Sequence, residues 1–229
     1  MIIKGLQKTT LLDFPGKVAC TVFTGGCNFR CPFCHNATLV LDPAGVDSIN
    51  EDDFFSYVNK RKGILDGVCI TGGEPLMQKG IVDFIKKIKD TGLLVKLDTN
   101  GAYPEVLKEL LDKNLIDYVA MDMKNSFEKY ARTVGLDNFP EKIKESIDII
   151  MSSGVQYEFR TTVVKELHTA EDIDTLSRSI SGAERYFLQK FTDSGDIMED
   201  GYSSYTDAEM EKLLDIAKKW IPNASLRGV

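Results

Sequence analysis

Two hydrophobic periods alternate along this 229-residue chain. Apolar, largely β-branched runs at 18–23, 68–71, 94–98, 118–123, 156–164 and 185–191 predict strands. Between them, segments 53–61, 81–89, 105–111, 143–151 and 173–180 place apolar residues at i, i+3 and i+4, the spacing of a helix with one buried face. A last helix over 207–220 stops before Pro222. Ser48-Ile49-Asn50-Glu51 reads as a helix start of the capping-box type. Six strand–helix units in this order imply a parallel sheet with right-handed crossovers, either open and doubly wound or curled into a barrel.

The unusual residues decide between those two. Gly25-Gly26-Cys27, Thr71-Gly72-Gly73-Glu74-Pro75, Asp98-Thr99-Asn100-Gly101 and Asp122-Met123-Lys124 each follow a predicted strand, and Arg160 lies within one. In a barrel those strand ends converge on one face, where active sites are built. The expected fold is therefore an α/β partial (βα)6 TIM-like barrel, with parallel strands and outer helices, left incompletely closed by its six units. No break in composition marks a second unit, so residues 1–229 are expected to form one domain.

Composition narrows the function. With 43% hydrophobic and 28% charged residues the chain has ordinary globular proportions, and nothing in it suggests disorder. A formal charge of −7 argues against a general nucleic-acid binder, and the clusters Lys60-Arg61-Lys62 and Lys86-Lys87-Ile88-Lys89 read as solvated helix faces. Apolar stretches such as 147–151, interrupted by Asp148, fall far short of the roughly 20 residues that span a bilayer. Residues 1–8 hold no secretory h-region, so a cytoplasmic location is expected, with no membrane partner.

Five cysteines are an odd number, and Cys27, Cys31 and Cys34 fall within eight residues, which is not a disulfide framework. Their C-x3-C-x2-C spacing lets one short loop present three thiolates to a metal centre. Four-iron clusters normally take four cysteines. Cys20 and Cys69 sit inside predicted strands, where a free cysteine acts as a small buried hydrophobe. Three ligands would leave one iron open to a substrate or cofactor atom. The alternative is a structural Cys3His zinc using adjacent His35, which would make the chain a zinc-stabilised binding module.

The loop Cys27-Asn28-Phe29-Arg30-Cys31-Pro32-Phe33-Cys34, the segment Thr71-Gly72-Gly73-Glu74-Pro75 and the segment Asp98-Thr99-Asn100-Gly101 together resemble the radical S-adenosylmethionine superfamily. They match its cysteine loop, its GGEP motif and its DTNG segment in order and location. The resemblance covers essentially the whole chain, and it is strongest to glycyl-radical-enzyme activating proteins through Cys34-His35-Asn36 and Asp122-Met123-Lys124. The opening Leu12-Asp13-Phe14-Pro15-Gly16-Lys17 departs from the D-G-P-G-x-R signature usual among these. That variant is more similar to the activating proteins of anaerobic ribonucleoside-triphosphate reductase than to those of pyruvate formate-lyase.

The resemblance implies that Cys27, Cys31 and Cys34 hold a 4Fe–4S cluster and that S-adenosylmethionine binds its open iron. It implies cofactor-binding roles for Phe33, Gly72, Gly73, Glu74, Asp98, Thr99, Asn100, Asp122, Lys124 and Arg160. Among these, Asp98, Thr99 and Asp122, with a backbone carbonyl near Ala120, would hold a monovalent cation, and Lys124 and Arg160 would neutralise the methionyl carboxylate. The implied partner is a glycyl radical enzyme, an anaerobic ribonucleotide reductase or a pyruvate formate-lyase, with a flavodoxin or ferredoxin as electron donor. A compact small-molecule enzyme of the deazaguanine-forming type remains the alternative within the superfamily. For the later residues, a structural ion-pair network in the barrel mouth explains the same pattern.

Overall fold

A computed structural model of the chain describes residues 1–136 and 140–229. Its strands are β1 (Ile3–Thr10), β2 (Ala19–Thr24), β3 (Gly67–Gly72), β4 (Leu94–Thr99), β5 (Tyr118–Asp122), β6 (Gln156–Val163), β7 (Tyr186–Lys190) and β8 (Ser225–Arg227). They form one sheet in chain order, with β1 antiparallel to β2 and every later neighbour parallel. Strands β2 to β7 are the six expected from the apolar runs. β1 and β8 extend the sheet at its two edges and correct the six-strand expectation.

The helices are α1 (Ala37–Leu41), α2 (Glu51–Lys60), α3 (Ile81–Asp90), α4 (Pro104–Asp112), α5 (Phe127–Val134), α6 (Pro140–Ser152), α7 (Ala170–Ser179) and α8 (Asp207–Lys218). One short 3-10 turn, Pro75–Met77, follows β3. Helices α1 and α5 were not expected from the periodicity. The cap of α2 also differs: Asn50, not Ser48, closes it by accepting from the Asp53 amide at 2.8 Å. Ser48 instead accepts from Lys4 Nζ at 2.8 Å. Complete capping boxes start α7 (Thr169 with Asp172) and α8 (Thr206 with Glu209). Among the described residues no helix is long and apolar enough to cross a membrane.

Strand alternation gives the sheet two different faces. Cys20, Val22, Val68, Ile70, Val95, Leu97, Val119 and Phe159 pack with helix residues such as Phe54, Ile85, Leu107 and Leu214 into one apolar core. Each such large aliphatic or aromatic side chain contributes about 1.5–3 kcal/mol by leaving water. The opposite face is polar and self-satisfied, carrying Thr21, Cys69, Lys96, Asp98, Tyr118, Glu158 and Arg160. Its N-terminal end is plugged by Phe14, which packs against Ala19 and Tyr118. Gly67 is small for this reason, since a Cβ there would lie 2.8 Å from the Phe14 ring. The other end, where the strands finish, is left to the site.

Candidate active site

The loop that leaves β2 is tied down from four directions. The Gly26 amide donates to Leu39 O of α1 (2.8 Å), and the Arg30 amide to Val134 O of α5 (2.8 Å). From the turn after β3, the Glu74 amide donates to Gly26 O (2.9 Å), and the Glu199 amide from the acidic 193–205 stretch reaches Pro32 O (3.0 Å). Side chains add two further ties: Asn36 Nδ2 to Gly72 O (2.9 Å) and Asn100 Nδ2 to Asn28 Oδ1 (2.9 Å). The three cysteines are thus carried on a loop braced by β3, β4, α1 and α5.

Cys27, Cys31 and Cys34 are free thiols lining one cavity with about 780 Å³ of open space, mouth included. Phe33, Gly72, Gly73, Glu74, Asp98, Thr99, Asn100, Asp122 and Lys124 line the same cavity. Arg160 stands behind them, its Nε 2.8 Å from Asp122 Oδ1 and its Nη1 3.0 Å from Asp98 Oδ2. All the residues expected at the site therefore meet at one end of the sheet. Cys20 and Cys69 are buried within their strands.

Burial pushes the Cys27 thiol up to about 11 and the Cys31 thiol up to about 12. These thiols hold their protons at neutral pH until a metal displaces them. His35 lines the same cavity, but its ring is engaged elsewhere. Its Nε2 lies 2.8 Å from the Thr192 carbonyl oxygen, and its ring stacks on Phe191 at 5.5 Å between centroids. Among the described residues, no three His, Cys, Asp or Glu side chains converge on a point that one metal ion could fill. A polynuclear cluster, wider than one ion, suits thiols spread around a cavity, and the buried Asn28 Nδ2 of the same loop is left without a hydrogen-bond partner. The donor set fits a three-cysteine cluster and not a Cys3His zinc.

Glu74 is nearly fully buried and accepts from Leu76 N (3.0 Å), Thr99 Oγ1 (2.8 Å) and Asn100 N (2.8 Å). Burial nonetheless pushes its carboxyl up to about 7. Gly72 and Gly73 face the cysteine loop as closely as they face the cavity. A Cβ on Gly73 would lie 1.8 Å from Gly26 O, and one on Gly72, whose φ is +113°, 2.4 Å from Thr24 N. Their smallness first serves loop-on-loop packing.

A chain of alternating charges, Lys96, Asp98, Arg160, Asp122 and Lys124, runs along the cavity wall, with Lys96 and Arg160 behind it. Burial opposes the ionised form of both aspartates. Arg160 and Lys96 outweigh it at Asp98, and Arg160 and Lys124 at Asp122, so both carboxyls stay below the usual range. Lys124 is held above its ordinary value, Asp122 outweighing burial.

Three contributors escaped the sequence reading. Lys96 is a charge between the apolar residues Val95 and Leu97 of a strand run, a signal that was there to be seen. His168, far off in sequence, is buried with its Nε2 2.8 Å from Lys124 O and its ring 6.3 Å from that of Phe33. Helix α5 presents Tyr130 edge-on to Phe29 of the cysteine loop, 6.3 Å between ring centroids.

A parallel-stranded partial barrel with three thiols on the loop after its first parallel strand defines a cluster-bearing barrel enzyme. Residues 21–179 match the Radical SAM superfamily, and the chain belongs to it. It is 33% identical, over its whole length and 96% of the relative, to a Methanocaldococcus jannaschii protein provisionally named a glycyl-radical enzyme activating enzyme. It is 23% identical, over 80% of the chain and 84% of the relative, to the pyruvate formate-lyase-activating enzyme of Clostridium pasteurianum. In fold it is similar to Streptococcus suis SuiB bound to its precursor peptide SuiA, with a TM-score of 0.73 at 16% identity over 91% of the chain. The chain spans about half the length of SuiB (48%).

Proposed function

We propose that this chain is a glycyl-radical-enzyme activase, working on a protein partner. The observation that carries the reading is the three-thiol loop at the mouth of a cavity lined by paired carboxylates and cations. Similarity along the full chain to a relative named for the same activity supports it.

Cys27, Cys31 and Cys34 would hold the 4Fe–4S cluster. Bound there with S-adenosylmethionine, it supplies a low-potential electron and, from the sulfonium, a radical able to remove a hydrogen atom. The protein's share is positioning and exclusion of water. Arg160 and Lys124 are fixed cations that would receive the cofactor's carboxylate, locked in place by Asp98 and Asp122. Glu74, held by three donors, fixes the turn after β3 against β4, so that its backbone lines the cavity. Phe33 of the cysteine loop packs against the ring of buried His168 and would keep that wall dry. The substrate would be the glycine loop of an anaerobic ribonucleotide reductase, with pyruvate formate-lyase as second choice. The electron donor would be a flavodoxin or ferredoxin of the cytoplasm.

The test is EPR on the reconstituted, reduced protein incubated with S-adenosylmethionine and anaerobic ribonucleotide reductase. A glycyl doublet is the expected result. Accumulation of 5′-deoxyadenosine without a doublet would reject the partner, and a preparation that binds one zinc and no sulfide would reject the chemistry.

A further inference from the structure

We propose that the ammonium of Lys96 takes the place of the monovalent cation expected at Asp98 and Asp122, so that this site carries its counter-charge in the polypeptide. The residues do not fit a free cation. Both oxygens of each aspartate already face a fixed positive donor. At Asp98, Oδ1 accepts from Lys96 Nζ and Oδ2 from Arg160 Nη1 at 3.0 Å. At Asp122, Oδ1 accepts from Arg160 Nε at 2.8 Å and Oδ2 from Lys124 Nζ at 3.1 Å. The Thr99 hydroxyl, a third expected ligand, donates to Glu74 Oε1 at 2.8 Å and accepts from the Gly101 amide at 3.1 Å.

Lys96 reaches this position by strand periodicity. It lies two residues before Asp98 on β4, hence on the same face of the sheet. Its side chain is only 2% exposed. The ammonium also lies 3.8 Å from Cys69 Sγ and 5.9 Å from the centroid of the Tyr118 ring, so its neighbours other than Asp98 are soft and weakly polar. An ammonium with three donors can use such partners. A hard alkali ion needs a shell of oxygens, and here three fixed cations would repel it. The inference rests on the resemblance to the radical S-adenosylmethionine superfamily only in naming this place as a cation site.

The test is thermal unfolding of the full chain, with and without its cluster, in potassium, sodium or choline chloride at matched ionic strength. The wild type is expected to melt at the same temperature in all three salts. Lys96→Met leaves Asp98 short of a counter-charge, so it should melt lower in choline. At 0.1 M it should recover by about 3 °C or more in potassium or sodium, as a newly opened site fills. A saturable stabilisation of the wild type by potassium or sodium over choline overturns the proposal, and so does a Lys96→Met variant that no alkali cation restores. Should that variant not fold, ²³Na relaxation of the wild type decides: broadening that potassium displaces reveals an alkali site and refutes the substitution, whereas its absence upholds it. Because melting needs neither cluster nor cofactor, these results stand apart from failure of the radical chemistry.

Discussion

Glu74 has every hydrogen bond a carboxylate could ask for, yet it sits where charge is costly. Three donors favour its ionised form, and burial outweighs them, raising the carboxyl from 4.5 to about 7. Between those values the folded chain keeps a proton that the unfolded chain releases. Stability from this group is therefore fully present below pH 4.5 and is lost as pH rises through 7. Asp122, depressed by Arg160 and Lys124, acts in the opposite sense: its contribution stands above about 3.8 and fades only in stronger acid. Burial also lowers the pKa of His168 from its ordinary 6.5, which changes stability in the same range, so Glu74 is read from the difference between wild type and Glu74→Gln. In melting curves of the cluster-free chain from pH 5 to 8, the advantage of wild type over Glu74→Gln should shrink steadily as pH rises. A difference independent of pH in that range would show that burial does not govern this carboxyl.

At the scale of elements, what the sequence disclosed follows from how each element is buried. Strands β2 to β7 lie within a parallel sheet and read as apolar runs. β1 (IKGLQKTT) is an edge strand with only its two end residues buried, so lysines, glutamine and glycine interrupt its pattern. β8 is three residues long and α1 five, too short for any period to declare itself. Helix α5, two turns long, shows its purpose only when Val134 and Tyr130 are seen against the cysteine loop. The thirteen candidate site residues could be named from motifs contiguous in sequence, except Arg160, picked out by its strand position; twelve of them line one cavity, and Arg160 stands behind it. Lys96 was passed over because a charge between two apolar residues of a strand looks like a local exception until its neighbours on the sheet face are known. The turn after β3 yields a prediction of its own. Gly73→Ala must push Gly26 and the cysteine loop away, since the new Cβ would meet the Gly26 carbonyl at 1.8 Å. That loop, not the sheet, should give way, so iron and sulfide per chain after reconstitution are expected to fall several-fold while the far-ultraviolet circular dichroism is retained. Full iron loading in this variant would mean that the crossing of the two loops is not what holds the cysteines.

The whole molecule is one curved sheet whose edges, β1 and β8, come from the two ends of the described chain, and the polar face ties distant parts of it together. Glu158 on β6 is 2% exposed and is gripped by Arg227 of β8 through Nη1 at 2.7 Å and Nη2 at 2.9 Å, while Tyr118 of β5 donates at 2.7 Å. Arg227 also lies over the Phe187 ring at 3.4 Å, so this side chain reinforces the three-residue pairing of β8 with β7. Replacing Arg227 by Met would leave a carboxylate in the sheet interior with one hydroxyl donor. Breaking a buried pair costs about 3–5 kcal/mol, and the lower end applies because Arg227 is 35% exposed. At roughly 2–4 °C per kcal/mol for a domain of this size, the melting temperature should fall by about 6–12 °C. The loss belongs to the stranded charge more than to the missing bond, so adding Glu158→Gln to Arg227→Met should restore much of it, a coupling that a double-mutant cycle measures directly. If the two changes instead add, the pair is not what closes this edge, and packing of β8 on Phe187 takes its place as the cause.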